Sequence, residues 1–286
     1  MRVVDSHLHL WDPAALDYAW LEGPLAHTFS DIEIVDDALD GVEEEVSIFV
    51  QADPVEGQSL AEMRWVDSIA LQSGVVAAVA GARLDRGAET EQHLDALSAH
   101  ERVVGVRHLL QAEADGFARS AAFIDGARTV ASRGWTFDAC VRSSQLSDVT
   151  ALAAAVPDLP IVLDHLGKPA IGTAQTPLRP GAEWLRDLAD LARHPQVCCK
   201  LSGLPAETQG EWTDAQVAPF FDAALEAFGP ERLMWGSDWP VSAVTHEFVP
   251  GNRQRWLDTV RAWAETRGVD ADGLFWENAL AFYGIR

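Results

Sequence analysis

The sequence predicts an α/β protein folded as a single closed (β/α)8 barrel of the TIM type. Eight short apolar runs recur along the 286 residues, and amphipathic helical segments alternate with them. Residues able to do chemistry follow several of these runs, as expected where the carboxyl ends of parallel strands meet. No G-x-G-x-x-G turn follows the first run, which argues against a dinucleotide-binding sheet.

The strand candidates are mainly apolar and rich in β-branched residues. In chain order they span residues 2–5, 46–51, 75–82, 103–109, 135–140, 161–163, 197–201 and 233–235. Apolar positions recur at helical spacing in the segments between them, which predicts helices over 59–72, 90–99, 120–133, 145–155, 182–193 and 214–228. Two more helices are predicted after the last strand, over 253–267 and 274–283.

The connection after the first strand, residues 11–45, is longer and less regular than the others and contains Pro13 and Pro24. No linker rich in proline or glycine divides the chain. Residues 1–286 are therefore predicted to form one barrel domain.

The chain is strongly acidic, with 44 acidic and 21 basic residues and a net charge of −23. A field of this sign repels polyanions, so nucleic acid is excluded as a partner. No apolar run reaches the length of a membrane span, and no basic-then-apolar leader is present. A cytoplasmic protein that binds no membrane is the expectation, and the oligomeric state stays open.

The pair His7 and His9 is the most informative feature of the chain. Side chains two positions apart on a strand project to the same side, so Asp5, His7 and His9 are expected to share one face. Both imidazoles would then project together from the carboxyl end of the first strand. A metal ion or a polarised carbonyl needs such an arrangement.

Two later strand ends supply partners for these histidines. At the sixth strand, Leu163 and His165 are expected to share a face, with Asp164 turned away. Asp238 follows the eighth strand. Because the strand ends of a barrel meet at one mouth, we expect one pocket to contain His7, His9, His165 and Asp238.

Three imidazoles and one carboxylate form a plausible shell for one divalent transition metal, zinc or manganese, with an open position for water. A bound ion lowers the pKa of that water and polarises an acyl carbonyl. Without an ion, Asp238 could take the proton from water while the imidazoles donate hydrogen bonds to the oxyanion. Both alternatives remain open from the residues, and both make His165 and Asp238 catalytic candidates.

Other residues near the predicted mouth are candidates for binding the substrate. Arg107 and His108 follow the fourth strand, and the only two lysines, Lys168 and Lys200, follow the sixth and seventh. These groups could bind a carboxylate or sugar hydroxyls, and a guanidinium suits a carboxylate best. Rim loops contain three further candidates: Trp11 and Trp239, which could stack on a sugar ring or planar lactone, and His246.

Five segments of the chain resemble the amidohydrolase superfamily. They read DSHLHLW at 5–11, GVRH at 105–108, LDHLGKP at 163–169, CKLSG at 199–203 and WGSDWPV at 235–241. The closer likeness is to the branch of sugar-lactone and pyrone-dicarboxylate lactonases, such as fuconolactonases and rhamnonolactonases. The segments occur in order and span nearly the whole chain.

The resemblance implies a TIM-type barrel and hydrolysis of a cyclic ester to a hydroxy acid. It further implies that Asp238 is the base that activates water. In the same family pattern, His7, His9 and His165 bind a metal or the scissile carbonyl. The lactonase branch is divided between one-metal and metal-free members.

The chain departs from the superfamily pattern at two strands. Many members hold two metals with a carboxylated lysine at strand four and a histidine at strand five. Here strand four ends in Arg107 and His108, and strand five offers Asp138 and Cys140. No binuclear centre is therefore expected.

The leading hypothesis is a lactonase of carbohydrate or aromatic-acid catabolism that acts on a small-molecule lactone. A metal-dependent decarboxylase of the same superfamily would keep the site and change the reaction. A non-catalytic barrel that binds a sugar acid is a third reading. It is disfavoured because a scaffold needs no convergence of imidazoles, lysine and carboxylate at one mouth.

Overall fold

Every strand of the sheet runs parallel to its neighbours, and the strands follow chain order. The computed structural model describes residues 1–208, 211–244 and 248–285. Its strands are β1 Arg2–Leu8, β2 Glu44–Val50, β3 Val75–Gly81, β4 Val103–Arg107, β5 Thr136–Ala139, β6 Ile161–Leu163, β7 Val197–Leu201 and β8 Leu233–Trp235. The predicted (β/α)8 barrel is confirmed, and each predicted strand is found.

Helices alternate with the strands. They are α1 Asp31–Asp36, α2 Ser59–Ser73, α3 Ala88–Leu97, α4 Ala121–Ser132, α5 Leu146–Ala155, α6 Ala182–Ala192, α7 Leu204–Glu207, α8 Asp214–Phe228, α9 Asn252–Arg267 and α10 Asn278–Tyr283. The short helices α1 and α7 lie in segments where the sequence predicted none. Within the described ranges, no helix combines the length and apolarity that crossing a membrane would require.

Helix α8 illustrates why these segments become helical. Its first turn is fixed by a reciprocal pair: Thr213 accepts from the Gln216 backbone, and Gln216 accepts from the Thr213 backbone. Such a cap contributes about 1 kcal/mol. Its buried residues recur at helical spacing and face the core: Val217, Phe220, Phe221 and Ala224. The helix ends at Gly229, which has a positive φ of 75°.

The barrel closes where β1 meets the segment after β8. The Asp238 amide donates to the His7 carbonyl at 2.8 Å, and the His9 amide donates to the Trp239 carbonyl at 2.8 Å. Asp5 reinforces this seam, since Oδ1 accepts from the Ser237 amide at 2.8 Å. The seam therefore lies directly beside the residues predicted to do chemistry.

Two apolar layers cover the two faces of the sheet, one outside the barrel and one inside it. The larger one lies between the strands and the helices and includes Leu8, Leu163 and Leu201. The smaller one joins alternate strand residues, among them Val4, Ile48, Val79, Val162 and Met234, to Trp276 and Tyr283 at the end of the chain. It fills the barrel interior. Helix α10 covers the amino-terminal end of the barrel, because Asn278 donates to the carbonyl of Leu233, where β8 begins.

Candidate active site

Four side chains that the sequence predicted to share one pocket converge at the carboxyl end of the barrel. Nε2 of His7 lies 3.2 Å from Nε2 of His9. Oδ1 of Asp238 lies 3.7 Å, 3.5 Å and 3.7 Å from the Nε2 atoms of His7, His9 and His165. All four residues are buried. We refer to them as the His–Asp cluster.

An irregularity in β1 directs His7 toward the cluster. Asp5 pairs with Ser47, whereas Leu8 pairs with Phe49, so β1 contains one more residue than β2 over this stretch. As a result Asp5 lies outside the barrel, where Oδ2 accepts from Arg253 of α9 at 3.0 Å. The prediction that Asp5 shares a face with the two histidines is therefore wrong.

The chain turns sharply where β6 ends. His165 has a φ of 53° and Leu166 a φ of 55°, a left-handed conformation that is uncommon for these residues. This turn directs His165 to the same side as the preceding Asp164, whose Oδ1 lies 3.2 Å from Nδ1 of His7. Leu163 packs in the outer apolar layer instead. The predicted facing of Leu163 and Asp164 is therefore wrong: Val162 and Asp164 face the barrel interior while Leu163 faces outward, and the alternation ends after Asp164.

Gly203 leaves room for the ring of His165. A Cβ at this position would lie 2.2 Å from Nδ1 of His165, and the φ of Gly203 is +69°. Both observations require glycine here. The motif after β7 thus supports a residue that follows β6.

The Nδ1 atoms of the three histidines face protein partners. Nδ1 of His9 donates to the Val50 carbonyl at 2.7 Å, and Nδ1 of His165 lies 2.9 Å from Oγ of Ser202. Nδ1 of His7 faces Asp164, as noted above. These contacts orient the rings and leave each Nε2 directed toward Asp238, the arrangement usual for histidine ligands of a metal.

The cluster fits a single divalent cation. Bonds of the usual zinc length to nitrogen imply ligand atoms about 3.3 Å apart around a tetrahedral ion. The separations of 3.2 Å, 3.5 Å and 3.7 Å among His7, His9 and Asp238 lie within about 0.4 Å of this value. The three residues also form one group of potential ligands whose donor atoms lie within 4.8 Å of one another.

The protonation states also suit a cation. Burial lowers the pKa of His7 well below its usual value, and it lowers the pKa of His165 to about 4, with Asp238 opposing the second shift. Burial alone would raise the pKa of Asp238, but His165 and the other histidines outweigh it and hold this pKa below its usual range. At neutral pH the pocket therefore presents neutral His7 and His165 and an ionised carboxylate, the forms that bind metals.

The comparison with known families agrees with these features. The family model described as Amidohydrolase matches residues 4–285. This chain belongs to the amidohydrolase family. The family resemblance read from the five sequence segments is thereby confirmed.

Relatives of this amidohydrolase include two curated lactonases. It is 34% identical over 277 residues to an L-fucono-1,5-lactonase of Burkholderia multivorans, covering 92% of this chain and 90% of the relative. It is 31% identical over 293 residues to an L-fucono-1,5-lactonase of Burkholderia ambifaria, covering 99% and 95%. A crystal structure of an amidohydrolase from Burkholderia multivorans with bound zinc superposes with a TM-score of 0.84 at 30% identity, covering 100% of both chains.

Arg107 borders the cluster of the amidohydrolase. Nη1 lies 3.4 Å from Nε2 of His7 and 3.6 Å from Oδ2 of Asp164, and Nη2 donates to the Gln51 carbonyl. The guanidinium is buried, and among the described residues its Nε has no hydrogen-bond partner. Arg107 is therefore placed where the sequence analysis put a substrate-binding cation.

Lys200 lies beneath His7 rather than beside a substrate. It is fully buried, and Nζ contacts Oδ2 of Asp138, Oδ1 of Asp164 at 3.1 Å and Nδ1 of His7 at 3.0 Å. The proposed substrate-binding role does not fit this position, because β7 directs the side chain into the barrel interior.

Asp138 connects Lys200 with the end of the chain, since Tyr283 of α10 donates to Oδ2 of Asp138 at 2.9 Å. Burial raises the pKa of Asp138 to about 6, while Lys200 opposes the shift.

The two tryptophans predicted to stack on the substrate pack inside the protein instead. Trp11 and Trp239 have no exposed surface. The indole of Trp11 donates to the His27 carbonyl at 2.8 Å, and the indole of Trp239 donates to Oδ2 of Asp37 at 2.9 Å. A stacking role on a substrate does not fit their burial, because both rim loops fold back onto the barrel.

The remaining rim candidates differ in their surroundings. His108 is buried, lies 3.2 Å from Oε1 of Glu113 through Nε2, and accepts from the Leu84 amide at 3.3 Å. Lys168 is partly exposed and pairs with Glu207 at 3.6 Å. His246 falls outside the part of the chain that the structure describes.

Sequence reasoning missed three contributors to this site. Asp164 was assigned to the wrong face, although its position two residues after the interior Val162 indicates the barrel side. Asp138 was noted only as an alternative at β5. Tyr283 had no local signal, because only the fold brings the last helix beneath the cluster.

Proposed function

We propose that this amidohydrolase hydrolyses a sugar lactone to the open hydroxy acid, with one divalent ion, zinc, held by His7, His9, His165 and Asp238. The observation that carries the proposal is the approach of three imidazole nitrogens to one carboxylate oxygen within 3.7 Å. The curated relatives named lactonases support an ester substrate that is cyclic. The zinc-bound neighbour supports the choice of ion.

A bound divalent ion supplies Lewis acidity, which polarises the ester carbonyl and lowers the pKa of a water molecule. Side chains of the pocket accept the proton of the attacking water and stabilise the negative charge on the carbonyl oxygen. Asp238, ionised at neutral pH, accepts a proton from the attacking water, whose oxygen forms a bond to the acyl carbon. The ring C–O bond breaks, the ring oxygen takes up the proton that Asp238 accepted, and the product is a hydroxy acid.

Several contacts prepare these side chains for the reaction. Ser242 donates to Oδ2 of Asp238 at 2.8 Å, which fixes the plane of the carboxylate. Arg107 supplies a buried positive charge beside the cluster, where it stabilises the negative charge that develops on the carbonyl oxygen. His7, His9 and His165 are each held through Nδ1, so their Nε2 atoms need no rearrangement.

The test is acid release from a panel of aldonolactones, followed with a pH indicator. The wild-type protein should open at least one of them, and Asp238→Asn should lower kcat by at least about 10³-fold while the fold is retained by circular dichroism. Asp158→Asn is the matched control, since Asp158 is exposed in the loop before β6, at the opposite end of the barrel.

Three results would contradict the proposal. They are full turnover by Asp238→Asn, release of carbon dioxide in place of ring opening, and tight binding of a sugar acid with no lactone opened.

A further inference from the structure

A cavity of about 400 Å³ lies beside the His–Asp cluster, between the loops that follow β2, β3 and β4. We call it the β2–β4 cavity. Gln51 and Arg107 form its inner wall, and Arg107 is the residue whose Nη1 lies 3.4 Å from His7. None of the four cluster residues lines the cavity, and Arg107 borders both, so a molecule held at the cluster would reach this space alongside Arg107.

Acidic residues outnumber arginines by one in the lining of the β2–β4 cavity. Its lining includes three arginines and four carboxylates. Arg83 pairs with Asp85 and Glu113, each at 3.1 Å, and Arg86 lies 3.6 Å from Asp85. No excess of positive charge is left to bind a carboxylate group of a substrate. This charge distribution favours a neutral ligand over an anionic one.

The polar groups in the cavity match hydroxyls. Nε2 of His93 donates to the Gly81 carbonyl at 2.9 Å, so Nδ1 is the ring nitrogen that remains to contact a ligand. Asp53 is exposed at the cavity and offers carboxylate oxygens as acceptors. Arg107 offers the opposite chemistry, since its buried Nε–H has no partner among the described residues. A hydroxyl group both donates and accepts, and it can use each of these atoms.

Apolar groups complete the wall. Val55, Leu60, Ala82 and Leu109 line the same space. A sugar presents C–H faces between its hydroxyls, and such faces pack on aliphatic side chains. An apolar wall with a few placed polar groups is the usual composition of a small-molecule site.

We propose that the β2–β4 cavity is the subsite for the hydroxylated carbons of a neutral sugar lactone, with Asp53 and His93 accepting hydrogen bonds from its hydroxyls and Arg107 donating one. The inference rests on the proposed lactonase function. It goes further by naming the residues that distinguish a polyhydroxylated ring from an unsubstituted one and from a dicarboxylate.

The test compares two substrates in each variant: a hydroxylated aldonolactone and unsubstituted δ-valerolactone. Asp53→Asn keeps the shape of the side chain, and asparagine tolerates the φ of 58° found at this position. This variant should lower kcat/KM for the aldonolactone about tenfold, mainly through KM, and change δ-valerolactone less than about twofold. His93→Leu is the second variant, with the same expectation, and Asp158→Asn is the control.

The outcomes separate the two proposals. If the wild type opens neither lactone nor any other aldonolactone, the proposed function fails. If it opens lactones but both variants lose activity equally on the two substrates, or neither variant changes either substrate, the subsite is wrong. A wild-type preference of tenfold or more for a pyrone dicarboxylate over aldonolactones would also overturn the neutral-sugar assignment.

Discussion

The ammonium group of Lys200 lies 3.0 Å from Nδ1 of His7, on the side of the ring away from Asp238. The same ammonium contacts Asp138 and Asp164, and all three charged groups are fully buried. Buried ion pairs contribute little net stability, but the loss of one partner leaves an uncompensated charge. The group beneath His7 is therefore suited to holding the ring in one orientation.

Replacing this lysine should destabilise the protein strongly. Lys200→Met leaves Asp138 and Asp164 without their shared cation, so we expect the free energy of unfolding to fall by about 3–5 kcal/mol in denaturant titrations. Adding Asp138→Asn to this variant should restore part of the loss. The control is Lys168→Met, whose side chain is 23% exposed and which should change stability by less than about 1 kcal/mol. Equal effects of the two lysine variants would refute this account of Lys200.

Ser202 should affect metal affinity although it is not a predicted ligand. Its Oγ lies 2.9 Å from Nδ1 of His165 and helps to orient that ring. Ser202→Ala should weaken zinc binding about 10–100-fold, measured by competition with a chromophoric chelator. Ser68→Ala removes an exposed hydroxyl of α2 that contacts only the Trp65 carbonyl, and zinc affinity should not change. An unaltered affinity in Ser202→Ala would show that this contact does not hold the ligand.

Glu62 should make stability depend on pH. Burial raises the pKa of Glu62 to about 8, while a hydrogen bond from the Ala52 amide opposes the shift. The folded state thus holds a proton that the unfolded chain releases near its ordinary pKa of about 4.3. This contribution to stability is fully present below that value and declines as the pH rises to about 8.

The matched variant for this effect is Glu62→Gln, which keeps the acceptor for Ala52 and cannot ionise. The difference in unfolding free energy between variant and wild type should grow in favour of the variant from pH 5 to about pH 8 and level off above it. A constant difference across this range would show that Glu62 ionises normally in the folded protein.

The strands and long helices were predictable because their signals are local. Apolar runs and helical spacing identified all eight strands, and α8 begins at the predicted residue. The short helix α1 was missed, since its capping box at Ser30 and Glu33 lies within an irregular connection. A helix of this length is set more by its cap than by periodicity.

The convergence of His7, His9, His165 and Asp238 could be anticipated because barrel topology brings strand ends together. The facing of individual side chains could not, since one extra residue in β1 reverses the side for Asp5 and a left-handed turn redirects His165. The burial of Trp11 and Trp239 depends on how the rim loops fold. The alternation of side chains along a strand cannot reveal the extra residue in β1, the left-handed turn at His165 or the packing of the rim loops.

His7 belongs to the first strand, and Asp238 follows the last one. The two residues face each other across the joint where the barrel closes, and the Asp238 amide donates to the His7 carbonyl. A ligand bound by both side chains would link the first strand to the segment that follows the last strand. Ligand binding would then stabilise the folded state. A ligand present at a hundred times its Kd would raise the free energy of unfolding by about 2.7 kcal/mol.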